Sequence, residues 1–302
     1  MRARLSGPHL ALILVVVALW GYSFVLIKVA LLEVPPFALA ALRFLLAAFP
    51  ACFFVPRPRM SMAAITAYGF AIGVCQFGLL FLGMKLGMPA GLSSLTIQIQ
   101  VFFTMALAVA ILHERLHRRH VIAAAIATAG MLVLAWHKIA SGATTTFIGF
   151  LLVIGAAVGW AAGNIIAKRT AGEHGDMFAL VVWSSLVPPI PLALASYAFE
   201  GGETAWSAVI HMSVVAWICV VVLAYGATLF GFGSWNRLLH RYPTALVSPF
   251  ALLIPVSGLA SGALFLAERI APMQALGIAL VLAGLVVNVL PRVGVPLSRT
   301  AP

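Results

Sequence analysis

A chain of 302 residues that is 63% hydrophobic and only 8% charged cannot cover a water-facing surface, for which about a quarter charged residues is usual. Spans of ~20 apolar residues each consume most of that length, which excludes an added soluble catalytic domain. The formal charge of +11 is dispersed in pairs between apolar stretches, which argues against nucleic acid as a partner and for loops that set membrane topology.

Ten apolar stretches follow one another, at roughly 9–32, 36–55, 62–83, 89–112, 119–137, 147–168, 177–199, 208–232, 243–266 and 272–290. Each is continuous rather than alternating, so helices are expected and a barrel is not. Pro36, Pro89, Pro243 and Pro272 begin four of them, where a helix tolerates a missing N–H. The first stretch is too long for a signal-peptide core and reads as a retained span. With the N-terminus inside, thirteen Lys and Arg residues fall on the cytoplasmic side and four, Lys28, Lys85, Lys138 and Arg269, on the other. That bias predicts both termini in the cytoplasm of a bacterial inner membrane.

Polar side chains inside a span need a protein or water partner and so tend to face the bundle interior. In chain order they are Gln76 in the third span, then Ser93, Ser94, Gln98, Gln100 and Thr104 in the fourth. Gln98 and Gln100 point in roughly opposite directions, so at most one faces a common cavity, and the other is expected to bond between helices. Trp160 and Asn164 share a face in the sixth span; Trp183 and Ser184 follow in the seventh, and Tyr225, Thr228 and Trp235 in or just beyond the eighth. In the ninth, Ser248-Pro249 and Pro255 interrupt the backbone ladder, as a packed kink or as free carbonyls for a substrate ammonium. The candidate substrate contacts are therefore Gln76, Gln98, Gln100, Trp160, Asn164, Trp183, Ser184, Tyr225 and Ser248, with Pro249 and Pro255 as hinge or gate positions. Arg43 is the one charge well inside a span. It reads as a gate element or an ion pair with Glu33 or Glu268, with a substrate carboxylate as the alternative. Lys28 and Lys168 end their spans and read as interfacial anchors.

Two stretches recur. Trp20 and Lys28 lie eight residues apart, as do Trp160 and Lys168. Pro89, Glu114-Arg115 and Gly130 are matched at the same spacing by Pro243, Glu268-Arg269 and Gly284. Two matches in the same order indicate duplication, with repeats over 1–140 and 141–302. Five spans each make the second copy enter the membrane inverted, an architecture of alternating-access transporters.

The WGYSFVLIK of Trp20 to Lys28, the Leu42-Arg43-Phe44 triplet, the run from Gly87 to Thr104 and the two Glu-Arg helix ends resemble the EamA family of the drug/metabolite transporter superfamily, over essentially the whole chain. The Gly87–Thr104 run is similar to bacterial exporters of cysteine and O-acetylserine. The resemblance implies ten helices and export of amino acids or related metabolites.

The sequence contains no nucleotide-binding G-x-x-x-x-G-K-[ST] run, so neither a cofactor nor an ATPase subunit is expected. All seven acids lie at span ends or in loops, and proton coupling normally uses a buried acid or histidine; gradient-driven efflux is the expectation. One rival belongs to another class. His113-Glu114-Arg115-Leu116-His117 matches the H-E-x-x-H of zinc proteases, which needs both histidines on one helical face. The matching repeat reads Ala267-Glu268-Arg269-Ile270-Ala271 without histidine, and three nearby arginines repel a cation; no resident metal is expected.

Overall fold

The computed structural model describes residues 5–142, 146–170, 176–265 and 271–289, and all regular structure among them is helical. Among the described residues nine helices are long and apolar enough to cross a membrane: α1 (Gly7–Ala30), α2 (Pro36–Phe54), α3 (Met62–Lys85), α4 (Leu92–Leu112), α5 (Arg118–Ala140), α6 (Phe147–Thr170), α7 (Met177–Phe199), α9 (Val214–Arg241) and α11 (Pro272–Val289). A short helix α8 (Glu203–His211) precedes α9, and the shorter apolar α10 (Thr244–Ala260) precedes α11. Faces turned away from the bundle carry bare apolar side chains such as Leu132, Trp136, Phe147, Leu194 and Val286. Such a surface is stable against lipid tails and not against water.

The eighth apolar stretch starts later than the sequence suggests and runs further. Ser213 accepts a bond from the Ala216 N–H and opens α9 there, so residues 208–211 belong to α8. Beyond residue 232 the helix continues to Arg241, with Trp235, Asn236, Leu238 and Leu239 buried and Arg237, His240 and Arg241 exposed.

Acidic residues at span ends clamp the starts of other helices. Glu200, at the end of α7, accepts from Phe37 N and Ala38 N at 2.7 and 3.1 Å. Glu33, after α1, accepts from the backbone and hydroxyl of Ser213, both at 2.6 Å. Glu114, after α4, accepts from Thr244 N at 2.9 Å and Thr244 Oγ1 at 3.0 Å. Each anion sits where orphan N–H groups and the helix dipole favour it.

α5 and α11 pack along their length, and glycine allows the approach. A Cβ on Gly130 would lie 2.6 Å from Gly277 O, and one on Gly284 2.6 Å from Ala123 O. α1 packs on α10, and α6 packs on both α4 and α3. Two helices widen into π-turns, Phe70–Gly78 within α3 and Val222–Phe232 within α9. Two others tighten into 3₁₀ turns, Ile97–Ile99 within α4 and Ser248–Leu252 within α10. Such departures are common at functional sites, and residues of three of them, 70–78, 97–99 and 222–232, line one cavity.

Candidate functional site: a cavity with one buried cation

The cavity is lined by Trp20, Ser23, Phe24 and Ile27 of α1, Arg43 of α2, and Gln76, Phe77 and Leu80 of α3. Ile97 and Gln98 of α4, Trp160 of α6, Phe232 of α9 and Ile254 of α10 complete it. Its volume is about 50 Å³, room for a few waters, so the walls stand close together.

Arg43 is 3% exposed. Its Nε donates to Thr228 Oγ1 at 2.8 Å, and the guanidinium lies 4.3 Å from the Phe77 ring centroid. A desolvated cation–π contact is worth about 2 kcal/mol, against about 3 kcal/mol or more for an Arg at membrane depth; the remaining donors gain from an anion. Neither predicted carboxylate partner is found. Glu33 is committed to Ser213, Glu268 lies outside the described residues, and among the described residues no carboxylate pairs with Arg43.

Three further polar atoms in the cavity wall have no partner: Gln76 Oε1, Gln98 Oε1 and Trp160 Nε1. An unpaired buried polar atom costs about 1–3 kcal/mol, and one cavity holds three. They present two acceptors and one donor beside a cation. Aromatic rings form the rest. Trp20 meets Trp160 edge-on with ring centroids 5.5 Å apart, and lies 4.9 Å from Phe232 and 5.3 Å from Trp235.

Behind Trp160 a second group of polar side chains is bonded together, with Gln100 Nε2 left without a partner. Gln100 Oε1 accepts from Thr104 Oγ1 at 3.0 Å and from Asn164 Nδ2 at 3.3 Å. Asn164 Nδ2 also reaches Thr104 Oγ1 at 3.2 Å, and Asn164 Oδ1 accepts from Trp235 Nε1 at 3.2 Å. Gln98 is thus at the cavity, and Gln100 ties α4, α6 and α9 together.

At the end of the bundle where α4 and α6 finish, Lys168 forms an ion pair with Glu114. Lys168 Nζ also donates to Tyr242 O at 2.8 Å and Thr244 Oγ1 at 3.1 Å. The expected interfacial anchor is instead half of a lock across three helix ends, while Lys28 is exposed. The lock also decides the zinc-protease match. α4 stops at Leu112, His113 takes a left-handed φ of 54°, and Glu114 turns to Thr244 and Lys168. The two histidines therefore share no helical face, and no cluster of three metal-ligating side chains occurs among the described residues.

Comparison with known proteins places this architecture. The model of the EamA-like transporter family matches residues 8–136 and again 147–290. A probable amino-acid metabolite efflux pump of Salmonella typhimurium is 44% identical over 293 residues, covering 96% of each chain. One of the same description from Escherichia coli is 42% identical over 280 residues, covering 92% of this chain and 93% of that one. A solved crystal structure at 21% identity superposes with a TM-score of 0.77 over 93% of this chain and 98% of that chain. The chain belongs to the EamA-like transporter family.

In this EamA-like transporter, a multi-pass membrane protein and not an enzyme, the predicted contact and gate residues divide into three sets. Arg43, Gln76, Gln98 and Trp160 line the cavity; Gln100 and Asn164 stand behind it. Trp183 donates to Val55 O at 3.0 Å and Tyr225 to Phe49 O at 3.0 Å, each away from the cavity. Ser184 bonds back to Val181 O at 3.2 Å. Ser248 is buried, its hydroxyl unpartnered, in the 3₁₀ turn of α10 with Pro249. Pro255 falls in the first turn of the α-helical segment that follows, where its missing N–H costs little. Trp20, Phe77 and Phe232 were not singled out from the sequence as contacts. Trp20 was within reach, because the repeat that pairs it with Trp160 pairs their positions in the cavity.

Proposed function

We propose that this transporter exports amino acids and related small metabolites across the bacterial inner membrane by alternating access. The observation that carries the proposal is the pairing of the uncompensated Arg43 with the unpartnered Gln76 and Gln98 carbonyls in one aromatic cavity. A carboxylate complements the guanidinium and Trp160 Nε1, and an ammonium complements the two carboxamide oxygens. Aromatic faces take an apolar side chain and favour a nearby cation. The two relatives described as probable amino-acid metabolite efflux pumps support the same substrate class.

The proposed frame is ten spans in two inverted halves, 1–140 and 141–302, with both termini cytoplasmic and α10 as the ninth span. Supporting it, the π-turns at 70–78 and 222–232 and the 3₁₀ turns at 97–99 and 248–252 recur at nearly the offset of the Pro89/Pro243 match. On this orientation the Glu114–Lys168–Thr244 lock closes the cytoplasmic end. Lipid is the surrounding partner and no ATPase subunit takes part. Among the described residues no acid lines the cavity, which supports facilitated efflux down the solute gradient.

The test uses purified protein in liposomes preloaded with labelled amino acids. Efflux proceeds without a proton gradient, Arg43→Gln lowers it at least about tenfold, and Arg43→Lys keeps part of it. Full efflux by a folded Arg43→Gln protein overturns the carboxylate role, and a strict need for a proton gradient overturns the energetics.

A further inference from the structure

An apolar void lies on the other side of Gln98. It is bounded by Met88, by Leu95, Gln98 and Phe102 of α4, by Thr128, Met131, Leu132 and Ala135 of α5, and by Phe150 and Ile154 of α6. Its volume is about 340 Å³, within the range of sites that bury small molecules, whereas the central cavity offers about 50 Å³. Among the described residues Gln98 is the one that lines both.

Gln98 is a poorly fastened wall. It is 2% exposed, yet its Nε2 makes a single long bond of 3.3 Å to Ser94 O, and its Oε1 makes none. The Thr128 hydroxyl, across the side pocket on α5, is also buried without a partner. Elsewhere in α4 the Gln100 carboxamide oxygen accepts from both Thr104 and Asn164, whereas that of Gln98 has no partner. A side chain held by one weak bond and gaining a partner when it swings is suited to admit a ligand past it.

We propose that the side pocket receives the apolar tail of the exported solute. The substrate class then extends to amphiphilic amino-acid derivatives whose polar head sits at Arg43 and whose tail passes Gln98 to lie between α4, α5 and α6. This rests on the amino-acid reading of the central cavity. A phospholipid tail is the competing occupant; the continuity at Gln98 favours the solute, because that buried carbonyl has no use to a chain that only fills the lipid-facing side.

Straight-chain 2-amino acids from 2-aminobutyrate to 2-aminodecanoate, competing with efflux of a labelled short amino acid from proteoliposomes, provide the test. Each methylene removed from water strengthens binding about three- to fourfold, so inhibition by the wild type rises steeply with chain length. Ala135→Phe fills the side pocket from α5 without touching the central cavity. It flattens that rise while efflux of the short amino acid stays within about twofold; the smaller Ala135→Leu does the same in part and guards against a folding defect. An unchanged dependence on length in both folded variants overturns the proposal, as does an equal loss for short and long solutes. Absence of efflux of any amino acid by the wild type would instead overturn the reading of the central cavity.

Discussion

Gln98 and Gln100 are two residues apart and do opposite work. Gln100 Oε1 accepts from Thr104 and Asn164, so Gln100→Leu removes two buried hydrogen bonds. The expected loss is about 1–3 kcal/mol, read as a lower thermal midpoint in detergent. Gln98→Leu removes an atom already without a partner and should leave the midpoint nearly unchanged while altering transport. Equal destabilisation by both variants would contradict this division. The sequence showed that the two side chains diverge, because 100° per residue settles that. It did not show which faced the cavity, because that depends on where α6 packs. Arg43 was legible as the lone intramembrane charge, but its neighbour was not: Thr228 lies 185 residues away, and no local spacing brings them together.

At the scale of helices, span ends are fastened by acids that belong to other spans. Two bonds from Ser213 hold the Glu33 carboxyl below the usual carboxylate range. A group depressed in this way stabilises the fold above its unfolded pKa of about 4.3 and loses that contribution as pH falls through the lower folded value. The wild type should therefore melt above Glu33→Gln at neutral pH, and the two midpoints should converge as pH falls through that lowered value. A constant difference across pH would exclude the carboxylate as the cause. Between α5 and α11 the limit is steric. Gly130→Val meets backbone of α11 within 3 Å, and an overpacked contact of this kind costs about 1–3 kcal/mol, measurable by thermal unfolding. The sequence located most helices from hydropathy alone, but it began the eighth at residue 208. Apolar residues run on through Val209, Ile210 and Met212, and what ends α8 there is the Ser213–Glu33 clamp, a contact 180 residues apart.

For the molecule as a whole, the proposed halves are interlocked rather than set side by side. α1 packs on α10 and α6 on α4, and the clamps by Glu33, Glu114 and Glu200 all cross between residues 1–140 and 141–302. Coexpressed separate segments 1–140 and 141–302 should accordingly copurify, and Glu114→Gln should weaken that association; independent, separately soluble halves in detergent would refute the interlock. The matched spacings in the sequence suggest the two proposed halves but not this exchange of partners, since a repeat in sequence carries no record of contact.

The tryptophans add one more consequence. Trp20, Trp160 and Trp235 stand together at the cavity, and Trp160 Nε1 is without a bond, whereas Trp136 and Trp217 lie on the lipid-facing surface. A solute that accepts a hydrogen bond from that indole changes the polarity around an emitter within van der Waals reach. Binding should thus be visible as a shift in intrinsic fluorescence of the unlabelled protein, and Trp160→Phe should remove the greater part of it.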